Sequence, residues 1–599
     1  MPFKLPWEKV DSIIGTREPY FWLYCQDAAA DVNLIVRPML AIKNDKYSQK
    51  PLHERVIRDM NNHIAETSRS IPGRNESVFD TVIVIYLDAI SRIKFHKFYE
   101  KSANILKRMN EDEASTHRSI SLDRFHAIGR NSEFNYLSFA SGVGPEEIKQ
   151  FFHRKDTDVH IPWIFDLAEM MGYETASTVS GCHYRCKKDC HDFFMSANGV
   201  ETGGCVQQYM VEHDKRYPTK SLFPPASYCE SKYRKILNEN GSRSGSTVDT
   251  NIGDQQFYWV GNKFGMSYIL DWFRTWLLQV YQKYHHKKKF SMIVFEETQQ
   301  REFFTNVDSE IEAILFDLVY SSSKYHTENA AILLLSDHGL HFSSEFYVQP
   351  GKIANKNPFG YIILPKKYLN ENPEEAKKIA HNSKQMVSPL DLRATVQHWL
   401  TGRDWSASAS GERKLPHYSS NYGQSLMVST LHSNRTCESA GIPLPFCVCN
   451  LIPCKMRLKS ILNANIPKVV DFINNQILED SPQALPVCKP LEVSEVIAVP
   501  IGEGCYESSN IIIADVYIKR TMFLVSITFE KINNNDLKVL NANTITKYNK
   551  VWEVCEKKFH ETKILNNIPD DKFQFCYCTK TEGWYPYLLG LSKYFSDRR

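Results

Sequence analysis

The stretch TVIVIYLDAISR, residues 81–92, places an acidic residue, Asp88, directly after an unbroken apolar run. A second stretch, AILLLSDHGL at residues 331–340, has the same layout and leads into Asp337 and His338. Unbroken runs of Val, Ile and Leu of this length are typical of parallel strands that are buried on both faces. The two stretches therefore predict two inner strands of one sheet.

The polar residues that follow these strands suggest a site. In an open α/β sheet, ligands bind just beyond the carboxyl ends of the parallel strands. Aspartate and histidine side chains are ligands suited to a divalent metal ion. The first hypothesis is therefore a metal-dependent hydrolase that uses Asp88, Asp337 and His338. The alternative is that each aspartate only caps a helix after its strand.

The chain between residues 79 and 405 alternates between strand and helix patterns. The strand patterns are VIVIYLD, ETASTV, FSMIVFEE, AAILLLSDHG and FGYIILP, and the longest helix pattern covers residues 264–284. This alternation predicts an α/β domain with a mostly parallel sheet and helices on both faces. We expect residues 1–78 to be an N-terminal extension packed on that domain. After the linker-like ASASGERK, we expect residues 406–599 to form a smaller, Cys-rich α+β domain.

Composition excludes some classes of protein. The 599 residues are 42% hydrophobic and 24% charged, which is typical of a globular protein. A net charge of +3 predicts no nucleic-acid partner, and the short basic run at residues 285–289 is interpreted as a solvated loop. No stretch of the sequence is long and apolar enough for a membrane span.

Cysteines and sequons indicate an oxidising compartment. Most of the 15 cysteines fall in two clusters, at residues 182–229 and 437–578, which favours disulfides. A zinc site at Cys182, Cys186 and Cys190 is the alternative for part of the first cluster. Sequons at Asn75, Asn240 and Asn434 predict glycosylation.

The first residues do not fit this compartment. The segment MPFKLPWEKVDSIIG has no apolar core of signal-peptide length. We expect a secreted or extracellular protein whose signal or anchor lies upstream of this start, and the alternative is a cytoplasmic protein with reduced thiols.

A nucleophile candidate lies between the two aspartate strands. The segment FHAIGRNSEFNYLSFASG, residues 125–142, places Ser132 after a turn and ahead of a helix pattern. Backbone N–H groups at a helix N-terminus bind anions, and a metal contact would activate a serine hydroxyl. A plain helix-capping serine is the alternative.

The order of these motifs resembles that of the alkaline phosphatase superfamily and, more narrowly, of the sulfatase-like domain of unknown function 229. The matching residues are Asp88, Ser91 and Arg92; Gly129, Asn131, Ser132 and Asn135; and Ser336, Asp337, His338 and Gly339. Further matches are Gly172-Tyr173, Ser388 to Asp391 with Thr395, and the segment CESAGIPLPFCVC at residues 437–449. The resemblance covers residues 82–399, together with that cysteine-rich segment.

The resemblance implies a two-metal hydrolase in which Ser132 is the nucleophile. One divalent ion, zinc or else manganese or calcium, would be held by Asp88, Ser132, Asp337 and His338. The second metal site departs from the family pattern. The sequence reads FEETQQREFF where relatives place Asp and His, which leaves Glu296 and Glu297 as substitute oxygen ligands. His341 is a further candidate ligand, and a surface or packing role is the alternative for it.

The substrate class follows from the same resemblance. Ser132 is followed by Glu-Phe-Asn-Tyr, which lacks the x-Pro-x-Arg setting of formylglycine sulfatases. The expected activity is hydrolysis of phosphate or sulfate esters, with a small ester or a glycan as substrate. Because the second metal site departs from the pattern, the alternative is an inactive pseudo-enzyme that acts by binding.

Overall fold

The computed structural model describes the central part of the chain most fully. The described residues are 20–24, 32–36, 69–70, 76–129, 132–144, 164–179, 259–260, 263–284, 288–295, 298, 304–340, 349–406, 422–443, 446–448, 451–452, 456–480, 490–498, 505–507, 511–518, 523–533 and 535–546.

A six-stranded sheet forms the centre of the main domain. Its strands are β1 (Thr81–Leu87), β2 (His117–Ser121), β3 (Tyr173–Val179), β4 (Lys288–Phe295), β5 (Ala330–Leu335) and β6 (Gly360–Pro365). They lie in the order β2-β6-β5-β1-β4-β3. Strand β6 pairs antiparallel with both of its neighbours, β2 and β5, whereas β5, β1, β4 and β3 pair parallel with one another in that order. The sheet is therefore mostly parallel, as predicted.

Helices cover both faces of this sheet. The larger ones are α1 (Arg92–Phe98), α2 (Glu100–Glu111), α3 (Ser132–Ser141), α4 (Ile164–Met170), α5 (Gly265–Tyr284), α6 (Phe304–Val319), α8 (Lys366–Glu371), α9 (Pro373–Asn382) and α10 (Pro389–Thr401). A further helix, α7 (Gln349–Lys356), precedes β6 in the sequence. Val84 and Tyr86 pack with α3, α4 and α10 on one face. Ile83 and Ile85 pack with α2, α5 and α6 on the other.

This two-sided burial explains the unbroken apolar strands. Every residue of β1 and of β5 is buried, so neither strand has a solvent-facing side that would require polar residues. The strand patterns found in the sequence and the helix pattern of residues 264–284 are confirmed within a few residues at each end. Strand β2, with the sequence HRSIS, was not predicted because polar residues interrupt its apolar pattern.

A smaller unit follows the main domain. It contains α11 (Met456–Ala464), α12 (Ile466–Asp480), and the strands β7 (Leu451–Ile452), β8 (Val496–Ala498), β9 (Cys505–Glu507), β10 (Ile511–Ile518), β11 (Phe523–Lys531) and β12 (Leu537–Thr546). All pairings in this sheet are antiparallel, so these residues form the α+β arrangement expected for the C-terminal domain. Among the described helices of the chain, none combines the length and apolar composition that crossing a bilayer requires.

The described residues before β1 form three short strands. These are Tyr20–Tyr24, which pairs with Val32–Val36, and Arg69–Ser70, which pairs with Arg403–Asp404. The predicted domain limits, 78/79 and 405/406, stay predictions.

Part of the predicted disulfide framework lies within the described residues. Cys437 and Cys447 are each disulfide-bonded. The cluster at residues 182–229, including the alternative zinc site, lies outside the described residues.

A buried ion pair ties residues 422–443 to α10. Asp391 and Arg435 form a bidentate pair with 2.8 Å hydrogen bonds, and their side chains are 0% and 5% exposed. Asp391 also accepts from the backbone N–H of Ser388, which completes a capping box at the start of α10. The Ser-Pro-Leu-Asp motif therefore has a structural role here.

We predict that Arg435→Met lowers the free energy of unfolding by about 3 kcal/mol or more, because it leaves the Asp391 carboxylate buried without its cation. Thermal and denaturant unfolding would measure this loss. The control is Lys377→Met, which removes an exposed ion pair with Glu374 and should cause no measurable change. Equal effects of the two substitutions would contradict the role assigned to Arg435.

Candidate active site

Two adjacent parallel strands, β1 and β5, end just before the predicted residues Asp88 and Asp337 at one edge of the sheet. Strand β1 pairs with β4 on one side and with β5 on the other, with Leu87 opposite Phe295 and Tyr86 opposite Leu335. Asp88 and Asp337 follow the ends of adjacent strands and are both buried. The structure therefore places the two aspartates together, as the pattern of strand ends predicts.

The turn after β1 holds an unusual backbone conformation. Ala89 has φ of 59°, in the left-handed region that costs a residue with a Cβ about 1–2 kcal/mol. This conformation directs two successive N–H groups towards the end of β5. The N–H of Ala89 donates to Asp337 Oδ1 at 3.1 Å, and the N–H of Ile90 donates to Ser336 Oγ at 2.9 Å. The strained turn therefore locks the two strand ends together.

Asp337 has one oxygen held and one oxygen facing the site. Its Oδ1 accepts from the N–H groups of Ala89 and His338, the latter at 2.8 Å, and from Ser336 Oγ at 3.3 Å. Its Oδ2 lies 3.4 Å from His338 Nε2. The carboxylate is oriented by backbone groups, so its free oxygen has a fixed direction.

His338 presents Nε2 to the same point. Its Nδ1 lies 2.8 Å from the carbonyl oxygen of Gly339, which can only accept, so Nδ1 carries the proton of the neutral ring. Nε2 lies 3.8 Å from Asp88 Oδ1. This is the tautomer that a metal ligand bound through Nε2 requires.

Ser132 is the first residue of α3 and faces the same cluster. Its Oγ donates to Asp88 Oδ1 at 3.1 Å and lies 3.4 Å from His338 Nε2. The loop before it is fixed by Asn135, whose Oδ1 accepts from the N–H of Ile128 at 2.7 Å and whose Nδ2 donates to the carbonyl of Gly129 at 2.9 Å. The second Asn of the Gly-x-Asn-Ser-x-x-Asn motif therefore positions the loop that leads to the serine.

Helix capping does not explain the two aspartates. The cap of α1 is Ser91, whose Oγ accepts from the N–H of Lys94 at 3.2 Å. No described helix begins directly after Asp337, whose Oδ1 instead accepts from the next residue, His338. Neither carboxylate therefore acts as the cap of a described helix.

The cluster fits a metal ion by its donors and its charge. Ligand atoms of Asp88, Asp337 and His338 all lie within 4.8 Å of one another, and all three residues are buried. Burying two carboxylates this close costs free energy unless a cation accompanies them, and His338 can supply at most one positive charge. Oxygen and imidazole donors in this number suit zinc or manganese.

A buried tyrosine lies beneath the cluster. Tyr86 packs edge-on against Tyr136 of α3, with ring centroids 5.4 Å apart. Burial, together with the nearby carboxylates of Asp337 and Asp88, raises the pKa of Tyr86 well above its usual value. The side chain therefore stays neutral and contributes packing between β1 and the helix that carries Ser132.

Several predicted site residues lie outside the described residues. They are Glu296, Glu297 and His341 of the second metal site, and the sequons at Asn75 and Asn240. Asn434 of the third sequon is exposed, as glycosylation requires. A role for any of these residues stays a prediction.

Two residues of the site were not predicted from the sequence. Thr298, just after β4, donates from Oγ1 to the carbonyl of Asp88 at 2.5 Å. Asn355 donates from Nδ2 to the carbonyl of Gly339 at 2.6 Å. Both act on backbone carbonyls, and a contact to a backbone group leaves no signal in side-chain motifs.

The fold and the site define an α/β protein with an Asp/Asp/His cluster and a serine at the carboxyl edge of a mostly parallel sheet. Solved structures align with it at low identity. The C-terminal periplasmic domain of EcEptC from Escherichia coli is 10% identical, covers 62% of this chain and 90% of its own, and gives a TM-score of 0.31. A protein in the alkaline phosphatase superfamily from Vibrio parahaemolyticus is 9% identical, with coverages of 87% and 97% and a TM-score of 0.34.

A third structure is the lipoteichoic acid synthase LtaP from Listeria monocytogenes, which is 11% identical, with coverages of 62% and 82% and a TM-score of 0.34. At these identities and TM-scores, the alignments carry no information about the activity of this chain. Comparison with curated proteins gives no match.

Residues 260–497 match the family model described as protein of unknown function (DUF229). The predicted resemblance to this family is therefore confirmed over that segment. The segment contains Asp337 and His338, whereas Asp88 and Ser132 lie before it.

We predict that Thr298→Val lowers the free energy of unfolding by about 1 kcal/mol, because it removes a buried hydrogen bond without changing shape. It should also weaken zinc binding, since it removes the hydrogen bond that holds the carbonyl of Asp88. Thr327→Val is the matched control: Thr327 is buried and donates to the carbonyl of Leu318 at 2.7 Å, away from the site. Calorimetric zinc titration and thermal unfolding would separate the two effects, and equal zinc affinity in both variants would contradict this role.

Proposed function

We propose that this chain is a metal-dependent hydrolase of phosphate or sulfate esters in which Ser132 is the nucleophile. The observation that carries the proposal is the convergence of Ser132 Oγ, Asp88 Oδ1 and His338 Nε2 within 3.1–3.8 Å at the carboxyl edge of the sheet. Asp337 and His338 lie within the segment that matches DUF229, residues 260–497.

The serine hydroxyl is arranged to lose its proton. It donates to the buried carboxylate of Asp88, which therefore stands ready as the acceptor, and His338 Nε2 is a second nitrogen at 3.4 Å. A divalent ion held by Asp88, Asp337, His338 and Ser132 would supply Lewis acidity that lowers the pKa of the hydroxyl. Side chains of the chain itself thus hold the serine and receive its proton.

The position of Ser132 also selects the charge of the substrate. The N–H groups in the first turn of α3 have no carbonyl partners within the helix, and the helix dipole adds positive potential there. A phosphate or sulfate group placed beside Ser132 would accept from those N–H groups. A tetrahedral oxyanion ester fits this surrounding better than a neutral carboxylic ester.

The proposed reaction has two displacements at the same atom. In the first, a bond forms between Ser132 Oγ and phosphorus or sulfur, the bond to the ester oxygen breaks, and the alcohol leaves with a proton. In the second, water attacks the same atom, releases phosphate or sulfate and restores the serine hydroxyl. A small phosphate ester is the first candidate substrate, and a sulfated glycan is the second.

We further propose that the protein functions in the secretory pathway or outside the cell. The disulfide-bonded Cys437 and Cys447 support this compartment, because disulfides persist where the environment is oxidising. The exposed sequon at Asn434, three residues before Cys437, agrees with it.

We predict that the purified protein binds a single tight equivalent of zinc or manganese and that Asp337→Ala abolishes this binding. The control is Asp308→Ala. Asp308 of α6 is also buried and accepts hydrogen bonds from the N–H groups of Lys101 and Ser102 in α2, but it lies outside the cluster. Elemental analysis after dialysis would count the metal. Two tight equivalents would overturn the single-site proposal and would indicate that a second site is complete.

We predict that metal-loaded protein hydrolyses an aryl phosphate or phosphodiester and that Ser132→Ala lowers the rate by about a thousandfold or more. Ser138→Ala is the matched control, because Ser138 is a buried serine of the same helix. Absence of turnover on a panel of phosphate and sulfate esters, with metal bound, would favour the alternative of a catalytically inactive binding protein.

A further inference from the structure

Asn355 forms hydrogen bonds with both backbone groups of Gly339, the residue that follows His338. Its backbone carbonyl accepts from the N–H of Gly339 at 2.8 Å, and its side-chain Nδ2 donates to the carbonyl of Gly339 at 2.6 Å. The same Gly339 carbonyl accepts from His338 Nδ1 at 2.8 Å. One asparagine therefore fixes the acceptor that sets the tautomer of the histidine.

The approach of Asn355 depends on the glycine. A Cβ added to Gly339 would lie 2.3 Å from the carbonyl oxygen of Ala354 and 2.9 Å from Cα of Asn355. Real Cβ atoms do not come this close to backbone, so the end of α7 would have to move. The glycine of the Ser-Asp-His-Gly motif is required here for contact with Asn355.

Asn355 is also buried, and the residue after it is hydrogen-bonded to the segment that leads to Ser132. Its side chain is 2% exposed, so an amide donor at this position needs a partner within the protein. The next residue, Lys356, accepts through its carbonyl from the N–H of Ala127 at 3.0 Å, in the segment that leads to Ser132. The end of α7 thus contacts both the His338 segment and the Ser132 segment.

We propose that Asn355 is a positioning residue of the site: by holding the carbonyl of Gly339, it keeps the proton of His338 on Nδ1, so that Nε2 is the ring nitrogen that would bind a metal. The proposal rests on the metal site described under Proposed function. It gives Asn355, in the segment IANKNPF at residues 353–359, a role in orienting the ring of His338.

The test compares Asn355→Leu, which keeps the shape of the side chain and removes the donor, with Asn355→Ala, which removes both. The control is Asn382→Leu: Asn382 is buried and donates to the carbonyls of Leu426 and Ser429, both at 2.7 Å. Near-UV circular dichroism and thermal unfolding would identify any variant that does not fold. Asn355→Ala, which cannot clash, serves if Asn355→Leu does not fold.

The first readout uses metal-free protein. Solid-state NMR of protein labelled with 15N in its histidine rings reports the tautomer of His338, and the His338→Gln variant assigns its signal. We expect the Nδ1-protonated form in the wild type and in Asn382→Leu, and a shift towards the Nε2-protonated form in both Asn355 variants. An unchanged tautomer in a folded Asn355 variant would overturn the proposal.

The second readout is zinc affinity by calorimetry. We expect the Asn355 variants to bind zinc about tenfold to a hundredfold more weakly, the effect usual for a residue that orients a ligand, and Asn382→Leu to match the wild type. If the wild type binds no zinc, the proposed function fails while the tautomer measurement still decides the role of Asn355. Unchanged zinc affinity in the folded Asn355 variants would also overturn the proposal.

Discussion

The parallel pairing of β1 with β4 and β5 is the constraint on which the site depends. All three strands are buried on both faces, so a slip of one residue would exchange the side chains that pack against the helices on the two faces of the sheet. With Tyr86 opposite Leu335, the residues that follow the two strands must meet. The aspartates are therefore brought together by a sheet whose strands lie far apart in sequence.

The site is held in place mainly by backbone groups. Asp337 is oriented by the N–H groups of Ala89 and His338, and the ring of His338 is oriented by the carbonyl of Gly339. Backbone groups have few alternative positions, so these side chains are set before any ligand binds. The left-handed Ala89 costs free energy, and strain of this kind persists only where the surrounding structure fixes the conformation.

The sequence predicted the parts of the structure that depend on apolar patterning. Buried strands such as β1 and β5 are recognised by unbroken apolar runs, and long helices such as α5 by apolar residues at helical spacing, because packing requires both patterns. The meeting of Asp88 and Asp337 followed from the edge that parallel strands share. Thr298 and Asn355 could not be found this way, because each binds a carbonyl whose position depends on tertiary structure. Strand β6 was found as an apolar run, but its reversed direction has no counterpart in its composition.

The reversal of β6 has a consequence for how this fold can vary. Strand β5 ends beside the site and β6 begins there, with Leu335 opposite Gly360, so the intervening segment leaves and re-enters the sheet at one edge. A connection between parallel strands must return along the full length of a strand, whereas the connection between the antiparallel strands β5 and β6 need not. Doubling the length of a flexible loop costs only about 0.6 kcal/mol. A connection of this kind can therefore change in length at little cost in free energy while every strand pairing of the sheet is retained.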